Sequence, residues 1–128
     1  RAGFPRVTGV EVSSGAISSA ISAARHAGLS RSAATFIAED ATTWARAQSP
    51  EDMPDVIVVN PPRRGIGADL AAYLKQCDAP RVIYSSCNPV TLAKDLTAMP
   101  SLRPVEGRLF DMFPHTTHAE VALLLERA

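Results

Sequence analysis

Four times along the chain, a short apolar, β-branched run is followed by a segment with helical spacing, and this alternation limits the fold more than any other feature. Val7–Val12 reads as a strand; Ser13 or Ser14 then caps a helix running to about Ala27, with Ile17, Ala20, Ile21, Ala24 and Ala27 on one face and Gly28 as its stop. Ala34–Ala38 is a second strand, followed by a short helix around Thr42–Ala47. After a polar loop carrying Pro50 and Pro54, Val56–Val59 is a continuous apolar run of the kind buried inside a parallel sheet. Ala68–Gln76 is helical, Val82–Ser85 a strand and Val90–Ala98 a helix; Pro104–Phe110 and Glu120–Glu126 read as two closing strands. Repeated strand–helix units imply an α/β fold on a mostly parallel sheet. Ligands of such sheets bind beyond the carboxyl ends of the strands. Glu11, Asp40, the loop Asn60–Gly65 and the turn Ser85–Pro89 all stand at such ends.

The chain has 128 residues, which points to one domain able to bury a core. Its apolar runs are too short to cross a bilayer, and the opening "RAGFPRVTG" has no signal-peptide pattern. It also lacks an initiator Met, so a piece of a longer chain is expected. Thirteen basic residues balance thirteen acidic ones, which argues against strong nonspecific binding to nucleic acid. Eleven of the bases are Arg, the better fork for phosphate, and neutrality overall does not exclude a local basic patch. The two cysteines, Cys77 and Cys87, match no zinc, redox or disulfide spacing, so a reducing, cytoplasmic setting is expected.

Several positions are able to carry chemistry. Glu11 closes the first strand, where an acid either accepts hydrogen bonds from ribose hydroxyls or favours the helix start that follows. In "NPPRRG", residues 60–65, two prolines fix φ and delete two N–H donors. That loop is stiff, suited to holding Asn60 in place for a substrate. Cys87 lies between a strand end and a helix start among Ser85, Ser86 and Asn88, and the positive end of the helix favours a thiolate there. Cys77, on a helix, reads as a small buried hydrophobe, and His26 as a surface residue. "DMFPHTTHAE" brings Asp111, His115, His118 and Glu120 close together; its spacing defines no metal geometry, but it is a source of a general base facing Cys87.

Three motifs, "VVNPPRRGIG", "VIYSSCNPVTLAKDL" and "LFDMFPHTTHAEVALLLER", in this order resemble the C-terminal catalytic domain of the RNA (uracil-5-)-methyltransferases, most of all the branch acting on 23S ribosomal RNA. The resemblance covers nearly the whole chain. It implies a Rossmann-type methyltransferase sheet with alternating helices, using S-adenosylmethionine as cofactor and RNA, namely 23S rRNA, as partner, with no membrane. Residues 1–128 would then be a partial catalytic domain. It further implies Cys87 as nucleophile, Glu120 as base, Glu11 on the cofactor's ribose, Asn60 near its methionine end, and Asp40 as a further cofactor-binding residue. Many relatives carry Asp in place of Asn60; the Asn form looks like the 23S branch. The family often adds a cysteine-bound iron–sulfur cluster; none is expected in this piece, and none is carried over.

Against that family, the chain starts at what would be the second strand, without the first, central strand and its glycine-rich loop. The expectation is an isolated piece that binds cofactor poorly, has negligible activity, and survives by pairing with another copy through exposed strand edges or by a rearranged sheet. Two other readings stand beside it. One is a non-catalytic fragment that binds RNA or a partner chain. The other is an exocyclic-amine methyltransferase, whose Asn-Pro-Pro loop continues with an aromatic residue where this chain has Arg63.

Overall fold

In the computed structural model, which describes residues 3–111, 115 and 119–128, the chain divides into two compact units, 1–47 and 48–128. The first contains β1 (Val7–Glu11), α1 (Ser14–His26), β2 (Ala34–Ala38) and α2 (Ala41–Arg46). β1 and β2 pair in parallel from Val7↔Ala34 to Glu11↔Ala38. Ser13 caps α1 by accepting from the Ala16 N–H, the device expected of a serine before a helical run. Ile17 is the buried anchor of that helix, while Ile21, expected on the same face, is 38% exposed. Gly9 lies opposite Phe36, and a Cβ there would come within 2.8 Å of the ring.

The second unit contains β3 (Val56–Val59), α3 (Ala68–Gln76), β4 (Arg81–Ser86), α4 (Pro89–Ala98), β5 (Leu102–Phe110) and β6 (Glu120–Arg127), with a short 3-10 turn at Pro50–Asp52 ahead of them. Its sheet has the order β3-β4-β6-β5. The β3·β4 pair is parallel; β4·β6 and β5·β6 are antiparallel. The sheet is therefore mixed, because the two closing strands form an antiparallel pair whose return strand enters beside β4. Among the described residues, β1 and β3 each have a ladder partner on one side only. Ile57 and Val59 pack on the core, while Val58 points to the other face and is 66% exposed, although its run reads as a fully buried strand.

Alternation along β4 sorts its side chains. Val82, Tyr84 and Ser86 are buried, and Ile83, Ser85 and Cys87 are half-buried. The buried face packs with Ala71 and Leu74 of α3, Leu92 of α4, and Met99, Leu102 and Leu125. Within this layer the Asp95 carboxylate accepts from the Tyr84 hydroxyl and, at 3.0 Å, from the Ile66 N–H. Gly65, buried with φ +94°, passes so close that a Cβ would meet Asp95 Oδ2 at 2.6 Å. One carboxylate on α4 thus clasps both β4 and the loop that leaves β3. Among the described residues, no helix is long and apolar enough to cross a membrane.

Replacing Asp95 leaves the buried Tyr84 hydroxyl and the Ile66 N–H without an acceptor. Asp95→Ala is expected to destabilise the fold by about 2 kcal/mol or more, read from the urea midpoint at constant m-value. Burial, then the hydrogen bond to Asp95 and its negative charge, raises the pKa of the Tyr84 hydroxyl well above its ordinary value. Once pH exceeds about 10, the unfolded chain loses this proton while the folded chain retains it, so stability falls from there upward and is unaffected by this group below it. Denaturation midpoints measured across that range are expected to decline, and Tyr84→Phe to decline less.

Candidate active site

The chain leaves β4 at Ser86 and enters α4 at Pro89, and the turn between them holds Cys87. Two neighbours shape that turn. The Ser86 hydroxyl accepts from the Asn88 N–H and donates to the Asn88 carbonyl, both at 3.0 Å. Asn88 caps α4, its side-chain oxygen accepting from the Val90 N–H at 3.1 Å, with Pro89 filling the first helical position where no N–H is needed. Cys87 is half-buried, one residue ahead of this cap.

The proline loop is tied to the same turn. The Arg63 carbonyl accepts from Asn88 Nδ2 at 3.1 Å and from Thr91 Oγ1 at 2.9 Å. With the Asp95 bond to Ile66, the loop between β3 and α3 is anchored at two points on the β4–α4 segment. Asn60, exposed, follows β3 at the same end of the sheet. These anchors come from Asn88, Thr91 and Asp95, and the motif "CNPVTLAKD" names all three without showing what they hold.

Glu120 opens β6. The β4·β6 ladder ends at Ser86↔Val121, so the next residues beyond that last pair are Cys87, in the turn after β4, and Glu120, the first residue of β6. Glu120 is half-buried, and its Oε1 accepts from the Ser85 hydroxyl at 2.6 Å. Thus the structure brings Cys87, Glu120 and Asn60 to one end of one sheet. A thiol and a carboxylate so placed are the pair that covalent addition followed by proton removal requires.

Glu11 and Asp40 belong to the first unit, at the carboxyl ends of β1 and β2. Glu11 is exposed and accepts from the Ser13 N–H at 3.1 Å through Oε1. Asp40 caps α2: its Oδ2 accepts from the Thr43 N–H and from the Thr43 hydroxyl, both at 2.9 Å. These bonds, the backbone one foremost, hold its carboxyl below the usual range. Of the acid- and histidine-rich loop, Asp111 and His115 are exposed, while His118 lies outside the described residues. No group of His, Cys, Asp or Glu able to hold a metal occurs among the described residues. Cys77 ends α3 half-buried and is more polar in its contacts than a small hydrophobe: its Sγ donates to the Leu74 carbonyl and accepts from Arg127 Nη2 at 3.0 Å. His26 is exposed.

Comparison with known proteins places this arrangement. The tRNA (uracil-5-)-methyltransferase family matches residues 51–128. The 23S rRNA (uracil(747)-C(5))-methyltransferase of Pectobacterium atrosepticum is 46% identical over 123 residues, 96% of this chain and 32% of that protein. Its counterpart in Escherichia coli is 50% identical over 121 residues, 94% of this chain and 31% of that protein. The chain spans about a third of the length of the curated relatives it matches. Among solved structures, the Pyrococcus abyssi tRNA (uracil-54, C5)-methyltransferase in complex with S-adenosyl-L-homocysteine superposes with a TM-score of 0.78 at 30% identity, over 94% of this chain and 28% of that one. TrmN from Thermus thermophilus, at 20% identity and a TM-score of 0.69 over 96% of this chain and 36% of its own, shares the fold. The match over residues 51–128 includes the proline loop, the Cys87 turn and Glu120, and the chain belongs to the tRNA (uracil-5-)-methyltransferase family.

Proposed function

We propose that this chain is part of the catalytic domain of an S-adenosylmethionine-dependent enzyme that methylates carbon 5 of a uracil in RNA, 23S rRNA being the substrate its relatives favour. The observation that carries this reading is the register that sets Cys87 and Glu120 at adjacent strand ends.

Each unit, taken by itself, offers groups suited to part of the cofactor. Glu11 is an exposed carboxylate with one oxygen engaged by a backbone N–H, leaving the other to accept from a ribose hydroxyl. Asp40, whose carboxylate caps α2, is a further acceptor of the first unit. In the second unit, Asn60 is exposed just after β3 and suits the methionine end. When bound, S-adenosylmethionine supplies an electrophilic sulfonium methyl. Carbon 5 of uracil is too weak a nucleophile to take that methyl unaided. The target base leaves its stack to reach the site. The Cys87 thiolate adds to carbon 6, and the electron pair of the 5,6 double bond moves onto the carbon 5–carbon 4–oxygen 4 system as an enolate. After carbon 5 has taken the methyl, Glu120 removes the proton still bound there. The double bond reforms, the sulfur–carbon 6 bond breaks and the thiolate is regenerated.

The piece by itself is inactive in this reading, and the edges of β1 and β3 that are unpaired among the described residues offer a route to self-association. Tests therefore use a full-length enzyme carrying this segment. With 5-fluorouracil RNA and cofactor, a denaturation-resistant protein–RNA adduct is expected, because carbon 5 then carries fluorine where the base needs a proton. Cys87→Ala should abolish the adduct; an adduct that persists overturns the nucleophile. Methyl transfer to ordinary RNA without any adduct on the fluorinated one would favour an amine acceptor.

A further inference from the structure

Two adjacent serines on β4 take different tasks. The Ser86 hydroxyl is consumed by Asn88 in the turn that carries Cys87. Ser85 points to the opposite face of the sheet, where its neighbour on the same strand face is Ile83. Across the ladder Ser85 is paired with Ala122, so Glu120, two residues before Ala122, shares the face of Ser85 as its diagonal neighbour. The Ser85 hydroxyl donates to Glu120 Oε1 at 2.6 Å, and both side chains are half-buried. That length falls in the range of O–H···O⁻ bonds, about 2.5–2.7 Å. Backbone pairing holds the donor, so the bond restricts rotation of the carboxylate and occupies one of its two oxygens.

The geometry points to Ser85 as the positioning residue of the base: it holds Glu120 Oε1 and thereby turns Oε2 toward the carbon 5 proton. This rests on the reading of Glu120 given above. The residue acts after methyl transfer and has no part in addition of the thiolate, whose turn is shaped by Ser86 and Asn88.

The two stages separate experimentally. In a full-length enzyme carrying the segment, Ser85→Ala is expected to lower kcat roughly tenfold with KM for RNA unchanged. Covalent adduct should accumulate on ordinary uracil RNA during turnover, because proton removal has become slow. The rate and yield of adduct on 5-fluorouracil RNA should be unaffected, since that complex stops before the proton step. Ser85→Thr, which keeps the hydroxyl, should restore kcat. An unchanged kcat in Ser85→Ala overturns the proposal, as does a parallel fall in kcat and in 5-fluorouracil adduct, the mark of a merely structural role. Glu120→Gln run alongside tells the two levels apart. It should trap the adduct on uracil RNA and lower kcat by about 10²–10⁴. Normal turnover in Glu120→Gln would overturn the base itself and the role of Ser85 with it, whereas trapping in Glu120→Gln with normal turnover in Ser85→Ala removes Ser85 alone.

Discussion

The antiparallel ladder between β4 and β6, from Arg81↔Glu126 to Ser86↔Val121, is the constraint on which the rest of the second unit depends. Side chains on a strand alternate, so a slip of one residue would turn every β6 side chain to the other face. Leu125 and Leu123 would leave the packed layer beside Val82 and Tyr84, and Glu120 would leave the face of Ser85. Burial of the leucines therefore also sets which way the carboxylate points. The same ladder stops at Ser86, because the chain must turn there into α4, and that stop puts Cys87 clear of the strand.

A second constraint holds the near wall of the site. The loop after β3 has two prolines and cannot extend a ladder, so its position depends on what grips it. Asp95 takes the Ile66 N–H, and Asn88 and Thr91 take the Arg63 carbonyl. All three belong to the segment that starts at the cysteine turn. The loop and the turn are thus referenced to one another, and a shift of α4 would carry both. Gly65 is needed for this approach, since its backbone passes where a side chain would collide with Asp95.

Much of the fold was legible in the sequence. β2, β3 and α3 begin and end where the pattern put them, and the other strands and α-helices differ by one or two residues at their ends. Ser13, one of the two serines the pattern offered as a cap, caps α1, and Asn88 with Pro89 starts α4 one residue before the expected Val90. The sequence was less informative about exposure. Val56–Val59 reads as buried on both faces, yet β3 is an edge among the described residues and Val58 faces outward. Apolar periodicity records what a strand is suited to pack against, and the neighbours present decide what is covered.

At the site itself, local pattern and resemblance singled out Cys87, Glu120, Asn60, Glu11 and Asp40 without saying which of them meet. The sequence determined the order of the elements and the chemical groups at their ends, because helix caps, β-branched runs and proline loops act through neighbours in the chain. Only the tertiary structure decided that Ser85 meets Glu120, 35 residues away, and that Asp95 meets both Tyr84 and Ile66, 11 and 29 residues away. Those contacts follow from sheet register and helix packing, which are properties of the whole buried layer and leave no mark in any short stretch of residues.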